Sequence, residues 1–253
     1  MREPFSLICF FAPLIFVCCS QADLSNELTA YAALEDACAT IEVPPSSSIK
    51  EQIIAAGIND SIETYAYVLE EGEEAIFTRA WLSQNSVKTI DIQYFIFSLD
   101  NVGIIALDYL LRAADRGVKI RMLVDDIMLD VTESDVLALN AHPNFEIRIY
   151  NANPGKNGVQ QAYHAATDFQ GINQRMHNKT FVVDGHVAIT GGRNIADEYF
   201  DYDQQYNFRD RDVMLIGVGA DSIQQSFDSF WEHPLAMTIA DQEKLDSPGN
   251  EEL

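Results

Sequence analysis

The chain has 253 residues, of which 47% are hydrophobic and 22% charged, so it belongs with folded globular proteins long enough to bury a full core. Its 13 glycines and 8 prolines exclude collagen-like and low-complexity classes. Sixteen Lys and Arg stand against 39 Asp and Glu, a net charge of -23. Such a field repels polyphosphate, so no nucleic-acid partner is expected.

The chain opens with an uncharged apolar run over 5–19, FSLICFFAPLIFVCC, with Arg2 just before it. The run is shorter than the ~20 residues that cross a bilayer. It fits the apolar region of an export signal, and Ser20-Gln21-Ala22 offers small residues for cleavage after Ala22. Cys18 and Cys19 open a second route, cleavage before a lipidated cysteine, which the bulky Ile15, Phe16 and Val17 fit less well. The expectation is a signal peptide over 1–22, lipoprotein-type as the alternative, and an exported protein, periplasmic or associated with the inner membrane. A chain cut after Ala22 keeps only Cys38, so no intrachain disulfide is expected.

Residues 23–60 read as an N-terminal extension or linker with a Pro44-Pro45 turn, 61–238 as the folded domain, and 239–253 as a polar tail. Thr64–Leu69 is aromatic and β-branched and predicts a strand. Glu73–Ser83 predicts a helix with Ala75, Ile76, Ala80 and Trp81 on one side. Thr89–Phe97 predicts a buried strand. Val102–Arg116 is the clearest helix, since Ile104, Leu107, Leu111 and Ala114 recur at three- and four-residue steps and Gly117 stops it. Val118–Val124 predicts the next strand; Asp125-Asp126 after it reads as a strand-end cap rather than a metal site. A helix from Ser134 to about Asn140 and a strand over Phe145–Tyr150 follow. Residues 151–175 have no periodicity and form a long loop, a length that is usually functional. Asp184-Gly185 between Thr180–Val183 and Val187–Thr190 signals a hairpin. Asp212–Ile216 is a strand, and Ala220–Trp231 a helix burying Ile223, Phe227, Phe230 and Trp231. Helices interrupting strands in this way imply an α/β/α sandwich around a mixed sheet.

The chemistry gathers near His177. On a strand, His177 and Lys179 share a face. An imidazole beside an ammonium suits an anion better than a core. Gly191-Gly192 leaves backbone N–H groups bare beside the Asn194 carboxamide, an arrangement able to cradle phosphate. Asp184 lies at the turn on the other parity and reads as structural or supporting. Tyr94, at its strand end, either lines the pocket or packs in the core.

The spacing H-x-K-x4-D-x6-G-G-x-N over 177–194 resembles the motif of the phospholipase D superfamily. That family usually has Ser after the first Gly; Gly192 here resembles the cardiolipin synthases. TIDIQYFIFSLDNVGIIALDYLLRAADRGVKIRMLVDD resembles the strand–helix–strand that opens one half of these enzymes, and RDRDVMLIGVGADSIQQSFDSFWEH the piece that closes it. The likeness covers roughly 64–235 and points to the N-terminal half of cardiolipin synthases of the C type.

The resemblance implies a phospholipase D-like fold, one half of a two-half architecture. It implies a phosphohistidine intermediate with no metal and no cofactor. His177 would be the nucleophile or the acid, with Lys179 and Asp184 completing the catalytic motif and Lys179, Gly191, Gly192 and Asn194 binding phosphate. The substrate implied is a phospholipid such as phosphatidylglycerol at a membrane surface. Family chemistry uses two such motifs, yet His142, His164, His186 and His233 have no Lys two positions on. A homodimer or a second motif-bearing half would supply the other. A dimeric single-motif nuclease, and a half-domain inactive without its partner half, are the competing readings.

Overall fold

The computed structural model describes residues 48–125, 129–130, 133–151 and 175–241. The expected signal peptide, all four cysteines, Asp126, nearly all of the 151–175 loop and the tail from 242 lie outside the described residues.

Ser48 starts the first helix, α1 (Ile49–Ala55), through a capping box: its hydroxyl accepts from Glu51 N, and the Glu51 carboxylate accepts from Ser48 N. Sequence reading found no element here, because seven residues are too few for a periodic signal. The helix nonetheless places Ile49 and Ile53 in the core. The elements that follow are β1 (Thr64–Leu69), α2 (Gly72–Asn85), β2 (Thr89–Tyr94), β3 (Phe97–Ser98), α3 (Asn101–Asp115), β4 (Lys119–Asp125), β5 (Leu129–Asp130) and α4 (Glu133–Asn140). Then come β6 (Phe145–Tyr150), β7 (Thr180–Val183), β8 (Val187–Gly191), a 3₁₀ turn (Asp197–Tyr199), β9 (Asp212–Gly217), α5 (Val218–Trp231) and β10 (Ala236–Thr238).

Eight strands form one mixed sheet in the order β1-β9-β8-β7-β2-β4-β6-β10. β2, β4 and β6 are parallel, with α3 and α4 as the crossovers. β7 runs antiparallel to β2, so its amino end lies at the same edge as the carboxyl ends of the parallel strands. Strand parity divides the layers. Ile90, Ile92 and Tyr94 join the core shared with α2 and α3. Asp91 points to the α5 side, where it pairs with Arg121 at 2.6 Å and accepts from Gln224 at 2.8 Å. Phe227 and Trp231 of α5 pack on Leu123. This is the α/β/α sandwich that the sequence predicts.

Three details differ from the sequence reading. The strand drawn to Phe97 leaves the sheet after Tyr94, because Ile96 and Ser98 turn to bond Ile195. The α3 stripe holds at Ala114, which is buried, and at Leu107 and Leu111, which pack on the core, but Ile104 is 59% exposed and Val102, Ala106, Leu110 and Ala113 take the most buried side. The helix approaches backbone too closely for larger groups, since a Cβ on Gly103 would lie 1.7 Å from Ser98 O. On α2, Trp81 is exposed and Arg79 takes the buried position. The hairpin is where predicted: Asp184 (φ 53°) and Gly185 (φ 70°) are the central residues of a β-turn closed by His186 N on Val183 O, and Val183 pairs with Val187.

Candidate active site

The site forms where the sheet's central strands end. Residues 175–179 are an extended lead-in to β7 rather than part of it, so His177 and Lys179 stand just outside the ladder that begins at Thr180. The alternation of side chains still holds. Lys179 Nζ lies 3.3 Å from His177 Nδ1 and donates to His177 O at 2.8 Å. His177 is exposed, whereas Lys179 is buried to 6% exposure. Both pack on Phe95, the residue just past β2: its ring is 5.0 Å from the imidazole and 5.5 Å from Nζ. Burial lowers the Lys179 pKa, and the nearby Asp210 charge offsets part of that effect.

The lead-in is anchored from β4. Asp125 is fully buried; its carboxylate accepts from Arg175 at 3.0 Å and from Met176 N at 3.1 Å. The strand-end cap expected here thus holds the segment that carries His177.

Asn194 is buried, and its Oδ1 accepts from Ile96 N at 3.0 Å. Burial raises the Tyr199 phenol pKa, and a hydrogen bond with the Asn194 side chain pulls it back down. The glycine pair works differently from the expected cradle. Gly192 N donates to Arg211 O at 3.0 Å, and Arg193 N to Asp212 Oδ1 at 3.3 Å. Those amides are therefore tied to the entry of β9. What the glycines supply is room: a Cβ on Gly191 would lie 2.4 Å from Arg211 O, and one on Gly192 would lie 2.8 Å from the Asp210 carboxylate carbon.

Asp184 is placed apart from the pair. Its carboxylate accepts the backbone N–H groups of Val87, Lys88 and Thr89, at 2.7 Å for Lys88. It clamps the entrance of β2 at the opposite end of that strand from Phe95. Tyr94 packs rather than lining the site: it is buried, and its hydroxyl accepts from Arg79 Nε at 3.1 Å. Arg79 pairs with Asp212 at 2.7 Å, and Arg193 lies 3.8 Å from the same carboxylate. Arg193 also donates to Leu69 O at 3.0 Å, which ties the 191–194 turn to the end of β1.

Phe95, Asp210 and the Arg79–Asp212 pair escaped the sequence reading. Phe95 had a signal, since the first residue beyond a strand's carboxyl end commonly faces a site in such sheets. The other two had none: Arg79 and Asp212 are far apart in the chain and Asp210 lies outside the motif, so only the fold brings them to their partners.

A mixed sheet whose central edge presents a His-x-Lys pair beside a Gly-Gly-x-Asn turn defines a half-domain of the phospholipase D type. Comparison with known proteins agrees. The family described as "Cardiolipin synthase, PLD-like domain" matches residues 82–231, and the chain belongs to that family. It is 36% identical over 185 residues to cardiolipin synthase C of Escherichia coli, covering 73% of this chain and 38% of that protein. It is 41% identical over 175 residues to an uncharacterised protein of Helicobacter pylori, covering 69% and 35% respectively. The chain thus spans little more than a third of the length of these curated relatives. Among solved structures, NucT from Helicobacter pylori shares the fold with a TM-score of 0.50 at 14% identity, covering 69% of this chain and 99% of that one. Phosphatidylserine synthase of Haemophilus influenzae does so with a TM-score of 0.51 at 18% identity, covering 72% and 41%.

Proposed function

We propose that the chain is one half of a phosphatidyl-transferring or phosphodiester-cleaving enzyme that acts on phospholipid through a phosphohistidine on His177. The observation that carries the reading is the 3.3 Å contact between an exposed imidazole and a buried ammonium. Burial strips water from Lys179 and leaves its charge for an anion. The net charge of -23 favours a single phosphodiester over a polyphosphate strand. The likeness to cardiolipin synthase C supports a phospholipid such as phosphatidylglycerol.

Attack runs through Nε2, the nitrogen turned away from Lys179, and requires the ring proton on Nδ1. An arriving phosphate oxygen draws Nζ toward itself, with the Asn194 amide as a second donor, and frees Nδ1 to carry that proton. The bond from Nε2 to phosphorus forms as the bond to the leaving alcohol breaks. A second histidine, supplied by another copy or another half, gives its proton to that alcohol. Water or a new alcohol then loses a proton to the same histidine and takes the phosphatidyl group from His177. The apolar run at 5–19 supports export, and with it a reaction at the outer face of the inner membrane as part of this proposal.

The test follows labelled phosphatidylglycerol in vesicles with the full chain, and plasmid nicking in parallel. Cardiolipin or phosphatidic acid that disappears in His177→Ala supports the reading. Nicking lost in the same variant, with lipid untouched, overturns it in favour of a nuclease.

A further inference from the structure

We infer that the groove between α2 and α3 receives an acyl chain of the phospholipid whose phosphate is handled by Lys179; this deepens the proposed function and rests on it. The groove has a volume of about 660 Å³ and an apolar floor formed by Ile76, Phe77, Val102, Ile105 and Phe200. That volume is within the range of small-ligand sites. Phe77 and Ile105 are 64% and 52% exposed, an apolar surface without cover among the described residues.

Two features identify the occupant. The first is continuity with the site. Asp210, whose charge reaches Lys179 and whose side chain meets Gly192, lines a smaller polar hollow of about 140 Å³ together with Arg193, Phe208 and Arg211. Glu71, Asp201 and Arg209 line that hollow and the apolar groove alike, so the two are neighbours with a shared wall. Leading away from the Lys179 ammonium, the lining is first the polar hollow of mixed charge and then the apolar groove. A phospholipid has the same order: phosphate, glycerol ester, hydrocarbon. Arg209 makes no ion pair among the described residues and stands at the junction, where an ester carbonyl or phosphate oxygen would fall.

The second feature is charge. Glu71, Glu73 and Asp201 rim the groove. A nucleic-acid strand laid along it would set its phosphates against these carboxylates, whereas a hydrocarbon tail carries no charge to oppose them. Tyr202, exposed and lining the groove, is a residue type that settles at the headgroup level of a bilayer.

The experiment measures, by calorimetry on the full chain, binding of glycerophosphoglycerol and of monomeric phosphatidylglycerols with hexanoyl, octanoyl and decanoyl chains. Burial of hydrocarbon predicts affinity that rises with chain length, by at most about fourfold per methylene. Ile105→Asp and Phe77→Asp should flatten that dependence; both positions are more than half exposed, and a thermal melt checks that each variant stays folded. A dependence unchanged in both variants overturns the groove. Wild-type protein that binds the deacylated headgroup without any chain-length effect overturns it too, while leaving the lipid-phosphate reading in place. Wild-type protein that binds neither headgroup nor lipid removes both. If Ile105→Asp instead splits a dimer and leaves the chain-length dependence intact, the groove is a contact between copies, and the proposal falls.

Discussion

The Asp125 carboxylate accepts the backbone N–H of Met176 at 3.1 Å, so the last residue of β4 fixes the residue immediately before His177. The same carboxylate pairs with Arg175. The nucleophile proposed here is therefore aimed by a buried carboxylate at the end of β4, across β2 from the strand it leads into.

Asp125→Ala leaves Met176 N and Arg175 without that acceptor and should cost about 1–3 kcal/mol in stability. It should also lower kcat of the assembled enzyme more than it raises KM, because the imidazole loses its aim and the phosphate keeps Lys179. Asp125→Asn keeps an oxygen for Met176 N and should restore most of kcat while still losing the ion pair. Urea melts and steady-state kinetics on the two variants check this. Equal losses in both would show that only the charge matters.

Lys179 carries a pH dependence whose sign is fixed by its burial. Its folded pKa lies below the ordinary lysine value, for reasons of desolvation, and Asp210 limits the fall. Below the folded value both the folded and unfolded chains hold the proton, and the buried ammonium costs stability. As pH rises through that value the cost is relieved, so this group makes the fold more stable with rising pH up to the unfolded value of ~10.4. Anion binding runs the opposite way, because only the ammonium attracts it. Affinity for orthophosphate should thus fall at a lower pH than free lysine would dictate. Asp210→Asn removes the offset and should move the fall lower still. Carbon-13 titration of the lysine Cε signals, assigned with Lys179→Arg, reads the value directly; a midpoint at the free-lysine value would falsify the account.

Beneath the site, Arg79 and Asp212 form a pair that is 2% and 0% exposed. Burial by itself would lower the Arg79 pKa, but Tyr94 and Asp212 outweigh it and raise it. Arg79→Met strands the Asp212 carboxylate with Arg193 at 3.8 Å and should cost about 3–5 kcal/mol. Adding Asp212→Asn removes the stranded charge and should recover part of that loss. Thermal melts of the single and double variants decide it: a double variant as unstable as the sum of the singles would mean the pair is not coupled.

How far the sequence carries the reader depends on how local each feature is. The hairpin at Asp184-Gly185 needs two residues with left-handed backbone, and Asp-Gly says so directly. The Phe145–Tyr150 strand and the crossover helices declare themselves by period. His177, Lys179 and Asn194 fall within one short motif, and the first two stand 3.3 Å apart just before β7. What the motif cannot tell is how each member is used. Asp184 lies five residues after Lys179 but serves β2, and the Gly192 and Arg193 amides serve the entry of β9, because the antiparallel ladder of β7 and β8 carries them to those partners. The α3 stripe misled at Ile104 for a related reason. Helix periodicity locates an apolar face, but Gly103 and Ala106 decide which side comes closest to backbone, and small residues carry little hydrophobic signal.

Those glycines give the sharpest contrast for mutation. Besides the Asp212 carboxylate at 2.2 Å, a Cβ on Gly191 meets backbone, at 2.4 Å from Arg211 O and 2.6 Å from Asp212 Cα. Neither backbone atom can move without opening the β8–β9 ladder. Gly191→Ala should therefore cost 2 kcal/mol or more, at about the upper end of typical overpacking losses of 1–3 kcal/mol. A Cβ on Gly192 meets only the Asp210 side chain, with its nearest atoms at 2.8 Å, and a carboxylate can rotate away. Gly192→Ser should accordingly fold with a loss under about 1 kcal/mol. Its effect should appear elsewhere: the displaced Asp210 no longer offsets burial at Lys179, whose pKa should fall as it does in Asp210→Asn. Melting curves separate the two glycines, and the Lys179 titration reads the consequence of the second. Gly192→Ser with a Lys179 midpoint equal to wild type would show that Asp210 keeps its place, and that the absent side chain at 192 is not what sets the charge beside the lysine.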